Sequence, residues 1–300
     1  MVERILFRSG ELGVGRFRCP PGAPAWTREN HTGPWHLIVF PRTAVLIEQA
    51  DREPVVANPN HAVFYNPYQP YRREAMSARG DDCVFVAVSL PLLLEVLADV
   101  GPGAGEDPRS AFPFSAGPVA AHPYLLQHTV VRHLLAEDEP DALAVREALY
   151  QLLRHAAGRA FEVRGAGPRR AATSRAHDDA AERAKEILST RYSETVSLDA
   201  LARDLHLSPY HLSRVFRART GFTLRAYRDQ LRLRTALDLL AAGCQDLAAL
   251  AADLGFASHS HLTDRFRLAF GTTPTSVRGA GWARRAELRK KLEAPPRVTA

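Results

Sequence analysis

Tyr210, Ser213, Arg214 and Arg217 follow one another at three- and four-residue spacing, which on an α-helix puts them on one face. A phenol, a hydroxyl and two guanidinium groups so arranged suit hydrogen bonds to phosphate oxygens and to the acceptor edges of bases. Arginine in particular offers paired N–H groups that match two neighbouring acceptors on one base. Fifty residues further on, Ser260, Thr263, Asp264 and Arg267 recur at the same spacing. A solvated helix face carries the same residue types, so a single face of this kind decides nothing.

The elements that must position these faces are themselves duplicated. Leu201-Ala202 recurs as Leu250-Ala251, Leu205 as Leu254 and Leu207 as Phe256, all at an offset of 49. One residue is then inserted, and Leu212, Phe216, Gly221, Thr223 and Arg228 recur as Leu262, Phe266, Gly271, Thr273 and Arg278 at an offset of 50. Each copy reads as a short helix, a turn and a second helix that starts on a capping residue, Ser208 or Ser258. Pro209 falls in a first helical turn, where its missing amide hydrogen costs little. Gly255 falls where the second copy turns, a position at which a left-handed backbone penalises other residues. Between the copies, Leu224 to Ala241 reads as one unbroken helix with Tyr227, Leu231, Leu239 and Leu240 on its apolar side. Its length of roughly 27 Å matches one spacing of about 34 Å between adjacent major-groove segments, not two.

The run from Ser197 to Arg278 resembles the DNA-binding domain of the AraC/XylS family. The pair Gly255-Phe256, the ending Phe270-Gly271, Pro274 and Arg278, and Arg232-Leu233 with Ala236 in the connecting helix all fall where that family has them. The resemblance implies seven helices in two helix-turn-helix subdomains, double-stranded DNA and RNA polymerase as partners, and a role as transcription regulator, commonly an activator. On that reading the DNA-binding set is Ser208, Tyr210, His211, Ser213, Arg214, Arg217 and Arg225 in the first copy. In the second it is Ser258, His259, Ser260, His261, Thr263, Arg267 and Arg278. Arg217, Arg225, Arg267 and Arg278 would hold phosphates while Tyr210, Ser213 and Arg214 read bases. Asp264 departs from the pattern: many members carry arginine there, and a carboxylate either accepts from a cytosine amino group or stands clear of the groove. His261 admits a second reading as a packed, hydrogen-bonded structural residue.

Charge agrees with this division. The chain of 300 residues carries a formal +6; from Arg164 onward, 24 basic against 14 acidic residues give +10, and the preceding part gives −4. Such asymmetry suits a nucleic-acid module joined to a neutral-to-acidic partner domain. Hydrophobic content of 46% and charged content of 24% exclude a wholly disordered chain. Cys19, Cys83 and Cys244 are too few and too scattered for a disulfide framework or a zinc knuckle. With no leader-like start and no apolar run near 18 residues, the expectation is a cytoplasmic protein that does not enter a membrane.

Before the basic region, short β-type runs at Trp35 to Phe40, Ala44 to Ile47, Ala62 to Tyr65 and Cys83 to Val88 alternate with turn residues. Helical periodicity follows at Leu92 to Val100, Ala120 to Leu135 and Ala142 to Phe161. The expected fold is therefore α+β: an antiparallel barrel with following helices in residues 1–163, a linker over 164–176, and an all-α domain over 177–292 with frayed residues after it. A cupin-like sensor barrel commonly precedes this kind of DNA-binding domain, and the resemblance implies a small-molecule effector and a homodimer formed through the helices after the barrel. Trp35, His36, Phe64, Tyr65, Tyr68 and Tyr71 are then candidate effector contacts, against the plainer reading of aromatic core. No metal or other cofactor is expected: His31, His36 and His61 lack the close spacing of a ligand pair. Two other functions compete. One is enzymatic, a metal-dependent cupin or a methyl-accepting repair protein, and the scattered cysteines argue against the latter. The other is a sensor that acts only through protein contacts with a degenerate DNA-binding half, which Asp264 alone supports.

Overall fold

The computed structural model describes residues 2–98, 100, 110–137, 139–165 and 171–279. The expected helical continuation from 280 to 292, the tail after it and residues 166–170 of the expected linker lie outside them.

Among the described residues, ten strands form two antiparallel sheets. The larger has the order β1 (Val2–Arg8), β2 (Leu12–Cys19), β9 (Asp81–Val88), β4 (His36–Pro41), β7 (His61–Tyr65), β10 (Ala116–Pro118). The smaller runs β3 (Asn30–His31), β8 (Pro70–Ala75), β5 (Val45–Gln49), β6 (Val55–Ala57). Strand alternation gives each face its character. In β9, Val84, Val86 and Val88 are buried beneath the helices while Asp81, Cys83, Phe85 and Ala87 face the space between the sheets. In β4, His36, Ile38 and Phe40 take the helix side, whereas Leu37, Val39 and Pro41 face inward. The polar sequence of β8, PYRREA, is not a pattern that alternation alone identifies as a strand; it pairs with both β5 and β3.

Helices α1 (Leu90–Ala98), α2 (Ala121–Ala136) and α3 (Ala142–Gly165) cover the larger sheet with Leu93, Val96, Leu97, Leu125, Leu149, Leu152 and Leu153. Seven helices follow among the described residues: α4 (Ala171–Thr190), α5 (Leu198–Asp204), α6 (Pro209–Thr220), α7 (Leu224–Ala241), α8 (Leu247–Asp253), α9 (His259–Phe270) and α10 (Pro274–Arg278). Helix α4 starts inside the stretch read as linker. From α5 on, every helix begins on a side chain that accepts a backbone N–H: Ser197, Ser208, Thr223, Asp246, Ser258 and Thr273. Both α6 and α9 end on a left-handed glycine, Gly221 and Gly271.

The first lobe packs Ala184, Leu188, Leu201, Leu205, Leu212 and Phe216 against Tyr227 and Leu231 of α7. The second packs Leu250, Leu254, Phe256, Leu262, Phe266, Phe270 and Val277 against Leu233, Leu237 and Leu240 of the same helix, in one continuous core with α1 to α3. Helix α7 is thus apolar on both sides, and Leu239, expected on its apolar stripe, is only partly buried there.

Candidate nucleic-acid interface and barrel cavity

Each recognition helix is held by its buried side and leaves the opposite face open. In α6, Leu212, Val215 and Phe216 are buried, while Arg214 and Arg217 are exposed and Tyr210 is 79% exposed. Ser213 is half-buried, and so is His211, whose ring lies 5.1 Å from that of His177 on α4. Ser208 accepts the His211 N–H at 3.2 Å, so its hydroxyl is occupied as a cap. Arg225 stands exposed in the first turn of α7.

In α9, Leu262, Phe266 and Phe270 are buried, and His259, Ser260, Asp264 and Arg267 are exposed. Ser258 caps by accepting the His261 N–H at 3.1 Å. His261 is exposed; it accepts the Ala257 N–H through Nδ1 at 3.4 Å and sets its ring edge-on against Phe256. Thr263 and His259 lie within hydrogen-bond distance of each other. Arg278 donates to the Gln245 carbonyl at 2.6 Å, which fixes its guanidinium beside the loop after α7.

The relation between the lobes is set by Arg232, a residue noted in the sequence only for its position. From α7 it donates to the carbonyls of Tyr192, Ser193 and Glu194 after α4 and to the carbonyl of Gly255 in the second turn. One cation therefore joins the exit of α4 in the first lobe to the turn of the second. These carbonyls lie in the turns just past α4 and α8, near the negative ends of both helix dipoles, which favours a cation there.

Helix α7 is joined equally firmly to the barrel. The turn Asn58 to Asn60 between β6 and β7 meets Tyr227: Asn58 Nδ2 donates to its hydroxyl at 2.6 Å and Asn60 Nδ2 to its carbonyl at 2.8 Å. Arg234, fully buried, donates to the Pro59 and Val119 carbonyls and lies over the Tyr124 ring. Burial pushes its pKa down to about 10, so it remains charged at neutral pH. Further along α7, Tyr124 donates to Asp238 at 3.1 Å and His128 Nε2 sits 2.6 Å from it. Arg42 Nη2 lies 3.5 Å from the other ring nitrogen of His128, which places the imidazole proton on Nε2. Burial, with the Arg42 charge beside it, pushes His128 down to about 4, and burial also lowers His61, which opens β7 beside Asn58.

Between the two sheets lies a cavity of about 640 Å³. Trp35, Tyr65 and Tyr71 of the expected effector set line it. The other three do not. His36 and Phe64 stand on the helix-facing side of their strands, packed against Phe112, because one step along a strand reverses the face. Tyr68 sits in the turn before β8 at φ +56° and is 67% exposed. What sequence reasoning missed is the polar end of the cavity. There Arg73 donates to Asp81 at 2.7 Å and to the Tyr71 hydroxyl, with its guanidinium 4.6 Å from the Phe17 ring centroid. Burial, only partly offset by Arg73, raises Asp81 to about 6. The signal was alternation: Tyr71 and Arg73 share one face of a strand that its polar composition hid.

Comparison with known proteins agrees with both halves. A model described as an AraC-binding-like domain matches residues 6–182, more than half of the chain, and one described as a helix-turn-helix domain matches 201–280. The uncharacterized HTH-type transcriptional regulator YbfI of Bacillus subtilis is 26% identical over 247 residues, 78% of this chain and 80% of that one. The HTH-type transcriptional regulator GlxA of Rhizobium meliloti is 37% identical over 95 residues, 31% of this chain and 29% of its own. Fatty-acid-bound ToxT of Vibrio cholerae aligns over 90% of this chain and 95% of its own, at 10% identity and a TM-score of 0.36. No helix among the described residues is long and apolar enough to cross a membrane. Two capped helix-turn-helix lobes on one rod, preceded by a sheet-lined cavity in a domain that matches the AraC-binding-like model, make this chain a member of the AraC family, a transcription regulator and not an enzyme.

Proposed function

We propose that the protein binds double-stranded DNA in a sequence-specific way, with α6 and α9 in consecutive major-groove segments of one duplex. The observation that carries this is the pair of capped helices, each with one buried and one open face, fixed to a common α7 of 18 residues. Tyr210, Ser213 and Arg214 read bases, while Arg217, Arg225 and Arg267 hold phosphates. Arg278, tied to Gln245, contributes charge close to the backbone, and Ser208 and Ser258 present the N-terminal amides of their helices. His259, Ser260 and Thr263 are the second lobe's contacts, with Asp264 standing clear of the groove. RNA polymerase is the downstream partner, and the setting is the cytoplasm.

In this reading residues 1–163 form the sensor, 164–176 the connection and 177–292 the DNA-binding domain. A small molecule in the barrel cavity, touching Trp35, Tyr65 and Tyr71, is the effector. Its signal has a short route: the cavity-wall residues Ala57 and Val63 flank the Asn58 to Asn60 turn that grips α7. Leu135 and Leu143, exposed where α2 gives way to α3, support a homodimer through these helices.

Selection of duplexes from a randomised library tests the proposal. The parent should recover one site with two half-elements a helical turn apart, and its binding should weaken with salt by roughly 0.9 in log–log slope per neutralised phosphate. Recovery of unrelated sequences with a full salt slope would leave a non-specific binder, and absence of any salt-dependent binding would leave a protein-contact sensor.

A further inference from the structure

The barrel cavity has a charge balance that restricts its occupant. Its walls are apolar, from Phe17, Leu37, Val39, Val45, Ile47, Val63 and Phe85 among others. Its buried end holds one cation and one anion, Arg73 and Asp81, with side chains 3% and 7% exposed and in direct contact at 2.7 Å. At the mouth, Glu3, Arg8, Arg28, Glu29 and His31 are exposed and of mixed sign, so no strong field of either sign draws in a charged ligand.

A ligand carboxylate reaching the buried end would set its charge beside Asp81, and an ammonium would set its charge beside Arg73. Either leaves a buried charge without compensation, which costs more than a hydrogen bond returns. A neutral oxygen meets no such obstacle. Tyr71 accepts from Arg73 through its hydroxyl oxygen and retains its own proton to donate. Aromatic walls from Trp35, Tyr65, Tyr71 and Phe85 favour flat rings, and about 640 Å³ lies within the range of pockets that enclose a molecule of several rings.

Resting on the reading of the barrel as the effector site, we infer that the cavity takes an uncharged, multi-ring aromatic or alicyclic molecule whose acceptor oxygen docks at Tyr71 and the Arg73–Asp81 pair. Charged molecules of the same shape are excluded by the pair itself.

Three fluorescent probes of one skeleton and three charges test this on the full-length protein at pH 7.5: 2-hydroxyanthracene, anthracene-2-carboxylate and 2-(aminomethyl)anthracene. Anisotropy titration should show 2-hydroxyanthracene binding one per chain, at least tenfold tighter than the other two. The double variant Arg73→Met with Asp81→Leu removes both charges together and keeps the end filled; it should weaken 2-hydroxyanthracene at least tenfold and reduce its margin over the carboxylate. Carboxylate or ammonium binding as tightly as the neutral probe, or failure of all three to bind, overturns the inference. Leu37→Trp, which fills the cavity, separates this from the underlying reading. If it abolishes binding of a probe that is charged, the cavity is the site and only the ligand class is wrong; if it leaves binding intact, the cavity is not the site.

Discussion

The two helix-turn-helix lobes share one backbone design and differ in how each makes its turn. In both, the second residue after the short helix adopts a left-handed conformation: His206 at φ +55° in the first lobe, Gly255 at φ +74° in the second, at the same offset of 49 as the preceding leucines. A side chain on Gly255 would place its Cβ 2.1 Å from the Ser193 carbonyl and 2.7 Å from Arg232 Nη2. Glycine is therefore demanded there by the clamp that joins the lobes, not by the turn alone. The first turn carries no such clamp among the described residues, and histidine is accepted with its backbone strain. Sequence repeats thus preserve the backbone path, while the differences between copies mark where each meets the rest of the molecule.

Gly255→Ala should have the largest effect, because strain and collision add. A left-handed alanine costs roughly 1–2 kcal/mol, and displacing Ser193 and Arg232 raises the loss to about 3 kcal/mol or more. Urea unfolding would measure it. A loss no greater than that for alanine in an unhindered left-handed turn would break the claim that Arg232 sets the lobe geometry.

Attachment to the sensor separates the lobes next. The first lobe meets the barrel through Asn58, Asn60 and Glu182, which accepts the Val56 N–H at 2.7 Å. The second lies beyond the His128 and Asp238 contact, with Arg132 donating to the Val277 carbonyl. His128 is held neutral, at about 4 against an ordinary 6.5, so the unfolded chain binds the extra proton between those values. Its contribution is complete above about pH 6.5 and is lost as pH falls toward 4, amounting to about 3 kcal/mol. Asp81, raised to about 6, acts in the opposite sense over nearly the same range, so the parent's melting curve alone conceals the effect. The difference in stability between the parent and His128→Gln, measured from pH 7.5 to 4.5, exposes it. The parent's advantage should shrink on acidification, and a difference independent of pH would refute the assignment.

The recognition faces differ in charge, with Arg214 exposed on α6 and Asp264 exposed at the equivalent place on α9. Arg214→Ala should cost about 1–3 kcal/mol at one base pair and change the selected sequence there. Asp264→Asn should tighten binding to all sequences by less, through reduced repulsion of phosphates. If Asp264→Asn instead alters preference at a single position, α9 reads a base through that carboxylate and the two faces are equivalent after all.

Much of this was legible in the residues. The repeat, the caps at Ser208 and Ser258, and the limits of α7 from Leu224 to Ala241 follow from spacing alone, because each depends on local backbone chemistry. The cavity lining was half legible: Trp35, Tyr65 and Tyr71 reach it, but His36 and Phe64 do not, since strand parity is settled by pairing, with β9 for His36 and with β4 for Phe64, and not by residue type. Arg73, Asp81, Arg232 and Arg234 were illegible as a group. Buried charges have no periodic signature, and their partners are backbone carbonyls or residues that meet them only when distant strands and helices assemble.

His206→Gly gives the smallest effect and the cleanest comparison of the turns. Glycine relieves roughly 1–2 kcal/mol of left-handed strain but loses more conformational entropy on folding, a cost of about 0.5–1 kcal/mol. The net expectation is a stabilisation of about 0.5–1 kcal/mol, with DNA affinity unchanged because His206 is exposed and precedes the cap. Its value lies in the sign. If the turns differ only in the clamp on the second, glycine helps in the first and is required in the second. Destabilisation by His206→Gly would mean that the imidazole makes a favourable contact in the first turn, and that the copies diverged there through a gain in the first lobe as well as a constraint in the second.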